Sequence, residues 1–100
     1  MKEKVSIIIP VFNGEKTIRS CLQNIISKNK NIKKEILVIN DNSSDNTEKI
    51  LKSFKNIKII NLKKNKGVGF ARNYGAKKSK YNILCYVDSD LIISKNSISQ

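Results

Sequence analysis

Four short apolar runs punctuate this chain: VSIIIPVF (5–12), EILVIN (35–40), NIKIINL (56–62) and YNILCYV (81–87). Their length and β-branched content are those of strands. The segments between them keep a different period. Thr17, Ile18, Cys21, Leu22, Ile25 and Ile26 recur at helical spacing and predict an amphipathic helix of about three turns. Asp45, with Glu48 three residues on, has the form of a capping box opening a second helix to about Phe54. Residues 67–78 (GVGFARNYGAKK) read as a third, with Gly69 and Gly75 letting it approach the sheet closely. Residues 28–34 form a polar loop, and Ser94 is placed to cap a further element.

Strand–helix–strand repeated in this way implies parallel pairing through right-handed crossovers. Continuous apolar strands suit a sheet covered on both faces. The expected fold is therefore α/β: one Rossmann-like domain over residues 1–100, an open and mainly parallel sheet flanked by helices, in strand order 3-2-1-4. The more alternating NIKIINL run belongs nearer an edge. Cys21 and Cys85 lie inside apolar patterns without metal-ligand spacing, so both read as reduced core cysteines. Ile7–Ile8–Ile9 is far short of the ~20 apolar residues of a membrane helix, and Pro10, Asn13 and Glu15 break up any signal-peptide core.

Net charge is +12, carried by 18 lysines but only two arginines. Such a balance suits nucleic acid, an anionic membrane surface or phosphorylated ligands. The lysines are spread along the whole chain, and base readout and bidentate phosphate clamping favour the scarce arginine. Specific nucleic-acid binding is therefore not expected.

In an open α/β sheet, ligands bind beyond the carboxyl ends of the strands where the strand order reverses. With order 3-2-1-4 that point lies between the first and fourth strands. PVFNGE follows the first, DSD the fourth and Asp41 the second, so three polar loops converge on one crevice. Asp88 and Asp90 are one residue apart, and like charges at about 4 Å repel by ~4 kcal/mol at an effective dielectric of about 20. A hard divalent cation, Mg²⁺ or Mn²⁺, would offset that repulsion and complete its shell with water and phosphate oxygens; a solvated turn is the alternative. Asp41 could accept the N3–H of uracil or thymine or the N1–H of guanine, or serve an Asx-turn. Gly67-Val68-Gly69 follows the third strand and fits a dinucleotide fingerprint poorly. Arg72 could pair with Asp41 or Asp88, or reach phosphates. The chain has no histidine, which excludes histidine-based acid–base chemistry within it.

The stretches VSIIIPVFNGEKTIRSCLQNI, EILVINDNSSDNT, GVGFARNYGA and YNILCYVDSDL, in that order, resemble the nucleotide-binding half of the inverting family 2 glycosyltransferases, which have the GT-A fold. The resemblance runs from about Val5 through almost the whole chain. It implies that Pro10, Val11 and Phe12 line the nucleoside pocket, with Glu15 nearby, and that Asp41 holds the base. Asp88-Ser89-Asp90 would be the metal motif, with Asp90 the principal ligand of a cation bridging the diphosphate and Asp88 nearer the ribose. Arg72-Asn73 match the family's Arg-Asn pair. Asn40 stands where a second Asp is common, and Phe12 where Tyr is usual, which removes a hydroxyl contact.

Inversion needs a base that deprotonates the acceptor hydroxyl as it attacks the anomeric carbon. In the family that carboxylate lies downstream of the metal motif, so it is expected beyond Gln100, in a longer enzyme of which this chain is the donor-binding part. The expected activity of that enzyme is transfer of a sugar from a nucleoside-diphosphate sugar, a UDP-sugar favoured, to a saccharide, lipid or protein acceptor. The alternatives are a non-catalytic nucleotide- or partner-binding module and a basic patch for nucleic acid or acidic phospholipid. A cytoplasmic location is expected, at the membrane face in a longer parent protein. Apolar surface left by an absent half would drive homo-oligomerisation.

Overall fold

The computed structural model describes residues 3–28 and 32–89. The elements alternate as expected: β1 (Lys4–Val11), α1 (Ile18–Ser27), β2 (Lys33–Asn40), α2 (Thr47–Lys52), β3 (Lys58–Asn61), α3 (Val68–Lys78) and β4 (Ile83–Tyr86). The four strands make one sheet in the order β3-β2-β1-β4, every pair parallel. Order 3-2-1-4 is thus realised, with β3 and β4 at its edges among the described residues. The Ser94 position lies outside them.

Side chains alternate across the sheet with period two, and each face has its own core. Ile9, Val11, Ile36 and Val38 face α1 and α2, meeting Ile18, Cys21, Leu22, Ile25 and Leu51. Ile8, Leu37 and Ile39 point the other way, toward Ala71 of α3. A fully buried Ile or Leu contributes roughly 1.5–3 kcal/mol, so the doubly covered β1–β2 pair holds most of the fold. α3 reaches the sheet through its small residues. A Cβ on Gly75 would lie 2.5 Å from Ile8 Cγ2, whereas Gly69 faces open space and takes no part in the close approach.

Several expectations are adjusted. β2 begins at Lys33, two residues before the apolar run, because its backbone pairs with Lys4 and Val5 of β1 while the lysine side chain stays outside. α2 ends at Lys52, and the Ser53 and Phe54 amides close a tighter turn on the carbonyls of Ile50 and Leu51. β4 is not covered on both faces: Ile83 and Tyr86 are about half exposed, and Cys85 is exposed rather than a core cysteine. β4 is an edge strand paired only with β1, and α3 lies over β1 and β2. Cys21 is buried as expected, and burial pushes its thiol up to about 11.

The run EILVIN also conceals a buried acid. Glu35 Oε2 accepts hydrogen bonds from the Ser6 hydroxyl (2.7 Å) and the Lys80 amide (2.7 Å), and Oε1 from Lys58 Nζ (2.7 Å). Ser6 Oγ in turn accepts the Tyr81 amide at 3.1 Å. This cluster joins β1, β2, β3 and the α3–β4 connection at the end of the sheet opposite the crevice. Burial works to raise the carboxyl's pKa, but the Lys58, Ser6 and Lys80 donors outweigh it and hold it below the usual range.

Candidate sugar-nucleotide site

A crevice of about 700 Å³ opens at the carboxyl ends of β1 and β4, where the strand order reverses. Pro10, Phe12 and Glu15 line it from the first loop, Val68 and Arg72 from the start of α3, and Asp88 and Ser89 from the end of β4. Asn13, Gly14, Lys16, Thr17 and Asp45 complete the wall. Six of the expected residues therefore converge: Pro10, Phe12, Glu15, Arg72, Asp88 and Ser89. Val11 does not join them. It is 2% exposed in the α1–α2 core, because strand alternation sends it to the face opposite Pro10. Asp90 lies outside the described residues.

Arg72 Nη2 donates to Asp88 Oδ1 at 2.9 Å, which decides between the pairings open to this arginine. Both side chains are roughly half exposed to the crevice. Arg72 Nε is buried and has no hydrogen-bond partner among the described residues. The guanidinium thus carries more donor capacity than Asp88 uses.

Asp41 is buried, and stands behind the crevice wall rather than on it. Its Oδ1 accepts the Lys66 amide (2.7 Å) and its Oδ2 the Gly67 amide (2.8 Å), while Asn65 Nδ2 donates to its carbonyl (3.2 Å). The carboxylate thereby fixes the turn into α3, where Gly67 has φ 91° and ψ 161°, a region open essentially to glycine alone. Each oxygen keeps a second lone pair for another donor. Next to it, Asn40 Nδ2 donates to Asn61 Oδ1 at 2.9 Å. An aspartate at position 40 could not make that donation.

The loops after β1 and β2 are bonded to each other, which the sequence reading missed. The Asn13 amide donates to Ser43 Oγ (2.9 Å), the Ser44 amide to Asn13 Oδ1 (2.8 Å) and the Gly14 amide to Thr47 Oγ1 (2.9 Å). Asp45 joins both sides, since its Oδ1 accepts the Thr47 amide (2.9 Å) and hydroxyl (2.5 Å) and its Oδ2 the Glu15 amide (3.2 Å). Burial works to raise its pKa, and these donors, Thr47 foremost, more than offset it and lower the value. The capping box does not form: Glu48 turns to Asn61 (3.4 Å) and Lys52 (3.6 Å) instead of reaching back. Asn13 and Asn42 have φ of 50° and 60°, left-handed conformations that asparagine tolerates. The signal available was compositional, two Asn/Asp/Ser-rich loops on adjacent parallel strands.

Three described carboxylates line the crevice, Glu15, Asp45 and Asp88, of which only Asp88 stands at the end of β4. No group of three His, Cys, Asp or Glu side chains gathers to hold a metal among the described residues. The donor set thus fits a cation that takes most of its ligands from phosphate and water, as Mg²⁺ and Mn²⁺ do.

Comparison with known proteins agrees with this geometry. The family described as glycosyl transferase family 2 matches residues 6–100. Glycosyltransferase GlyA of Streptococcus pneumoniae serotype 4 is 39% identical over 92 residues, which are 88% of this chain and 13% of that protein. The structure of S. aureus TarS 1–349 in complex with UDP-GlcNAc superposes with a TM-score of 0.78 at 32% identity, covering 90% of this chain and 27% of that one. Mannosyltransferase PcManGT of Pyrobaculum calidifontis, in complex with GDP-Man and Mn²⁺, shares the fold with a TM-score of 0.80 at 20% identity, over 90% of this chain and 28% of that one. This chain, small beside the relatives it matches, belongs to glycosyl transferase family 2.

Proposed function

We propose that this chain is the donor-binding half of an inverting glycosyltransferase and that its crevice holds a nucleoside-diphosphate sugar, with UDP-GlcNAc the favoured donor. The observation that carries the reading is the meeting of Phe12, Arg72 and Asp88, from three separate loops, at the strand-order reversal. Phe12 offers an aromatic face 53% exposed at the crevice for the nucleobase. Asp41, buried behind the crevice wall with a lone pair left on each oxygen, would accept a base N–H once the β3–α3 turn bonded to it moves. Arg72 supplies cationic donors for the diphosphate. The choice of a UDP-sugar rests on TarS, which shares 32% identity and was crystallised with UDP-GlcNAc.

A divalent cation would be held by Asp88 and Asp90, and it would supply charge neutralisation of the departing diphosphate. Support comes from the Mn²⁺ in the fold neighbour PcManGT and from the oxygen-only donor set here. This chain's own residues bind and orient the donor. The general base and the acceptor site are assigned to the remainder of a longer enzyme, since the chain spans 13% of GlyA and 27% of the TarS chain.

Calorimetric titration of UDP, with and without Mn²⁺ and with GDP and TDP as comparators, tests the reading. Binding of UDP that strengthens with Mn²⁺ and is lost in Asp88→Asn is the expected result. Equal, metal-independent binding of all three would overturn both the metal and the base assignment.

A further inference from the structure

α3 carries its apolar residues on the wrong side for a helix that only packs on a sheet. It buries Ala71 and Gly75 and turns Phe70, 43% exposed, outward. Along that outer face the side chains form a continuous ladder. Lys66 Nζ sits 5.6 Å from the Phe70 ring centroid, Phe70 stacks on Tyr74 at 5.8 Å and 13°, and Lys78 Nζ lies 5.5 Å from the Tyr74 centroid. Beyond the helix, in the α3–β4 connection, Lys80 Nζ is 5.5 Å from the Tyr81 ring. From residue 61 to residue 87 the chain has no Asp or Glu, but six lysines and Arg72. No carboxylate of that stretch can neutralise the ladder.

We propose that the outer face of α3 docks on an anionic phospholipid bilayer surface. Lysines flanking aromatic rings suit this contact: the rings enter the boundary between headgroups and acyl chains, and the ammonium groups reach the phosphates. The geometry disfavours single-stranded nucleic acid, although the composition would suit it. Base stacking needs an open ring face, and here Phe70 and Tyr74 each have the other ring on one side along the helix and a lysine on the other. What the ladder presents outward is ring edge and ammonium. This inference is independent of the sugar-nucleotide reading, because Lys66, Phe70, Tyr74 and Lys78 do not line the crevice.

The test must separate this face from the general basicity of the chain. Flotation with phosphatidylcholine vesicles, with and without phosphatidylglycerol, is measured for the protein and three variants. Phe70→Ser/Tyr74→Ser leaves net charge unchanged and is expected to weaken binding to anionic vesicles about tenfold. Lys66→Gln/Lys78→Gln is expected to cost about fivefold per lysine, clearly more than Lys49→Gln/Lys55→Gln, which removes equal charge from the α2 side. Equal losses for the two lysine pairs, with no effect of the aromatic pair, would overturn the proposal in favour of diffuse charge. Tighter binding of an oligothymidine than of vesicles, lost in the aromatic variant, would overturn it in favour of nucleic acid. Because the chain has no tryptophan, Phe70→Trp reports directly: a fluorescence blue shift on anionic vesicles supports docking through α3, and co-flotation without a shift refutes it.

Discussion

Glu35→Ala should remove much of the fold's stability although Glu35 is far from the crevice. The carboxylate is 7% exposed and receives three donors. Lys58, whose side chain is 60% exposed, simply returns to water, and a pair of that kind is worth ~0–1 kcal/mol. The Ser6 hydroxyl is fully buried and would be stranded, while the Lys80 amide is only partly covered. At roughly 1–3 kcal/mol for a stranded buried donor and less for a half-covered one, the loss is about 2–4 kcal/mol. Domains of this size have about 5–15 kcal/mol in total. Urea denaturation followed by far-ultraviolet circular dichroism at neutral pH reads the change as a lower midpoint at similar slope. Because the folded pKa is depressed, the carboxylate's contribution is complete above the unfolded value of about 4.3 and disappears as pH falls through the folded value. Glu35→Gln should therefore flatten the acid limb of the stability profile, leaving the part due to Asp45, whose shift has the same direction. A Glu35→Ala protein within about 1 kcal/mol of the parent would refute the stranded-donor argument. A Glu35→Gln protein with the parent's acid limb would refute the linkage argument.

Gly75→Ala places a Cβ 2.5 Å from Ile8 Cγ2 and 3.3 Å from Ile39 Cγ1, and should cost about 1–3 kcal/mol by overpacking, read from the same urea midpoint. Arg72→Ala should weaken UDP binding at least about tenfold, and Arg72→Lys should recover only part of it, because a point charge replaces the planar fork; calorimetry distinguishes the two. In the native protein a thiol reagent should modify the exposed Cys85 promptly and spare Cys21, which is buried with its thiol pushed up to about 11. Mass spectrometry of the labelled protein should find one adduct before denaturation and two after it.

The strands, their order and the place of the crevice were legible because they follow from periodicity and chain connectivity, which are local or topological properties. The ends of the elements that bear them were enough to place Pro10, Phe12, Arg72 and Asp88 at the crevice. What escaped depends on contacts between distant residues. Nothing in EILVIN distinguishes a buried Glu35 from an exposed one until Ser6, Lys58 and Lys80 arrive from three other segments. Asp41 could be placed just past β2, but its hold on the Lys66 and Gly67 amides depends on where the β3–α3 turn lands. The exposure of Cys85 and Tyr86 reflects the edge position of β4, and an apolar run reads the same at an edge as at a centre. The burial of Val11 in the α1–α2 core was legible too, since alternation alone places it opposite Pro10.

The two walls of the crevice differ in rigidity, and the difference has a functional direction. The wall after β1 is fixed before any ligand arrives, through Asn13 to Ser43 and Ser44, Gly14 to Thr47, and Glu15 to Asp45. Those bonds are mostly from backbone amides to side chains on a neighbouring loop, so loosening one loop strands donors on the other. The opposite wall depends on the ion pair of Arg72 and Asp88, both roughly half exposed. Pairs of that exposure contribute ~0–1 kcal/mol, so exchanging one partner for another costs little. A diphosphate could draw Arg72 from Asp88 and free the carboxylate for a cation at nearly no expense in fold stability. Ligand-driven rearrangement should therefore concentrate on α3 and the end of β4, while the base-side wall keeps its geometry.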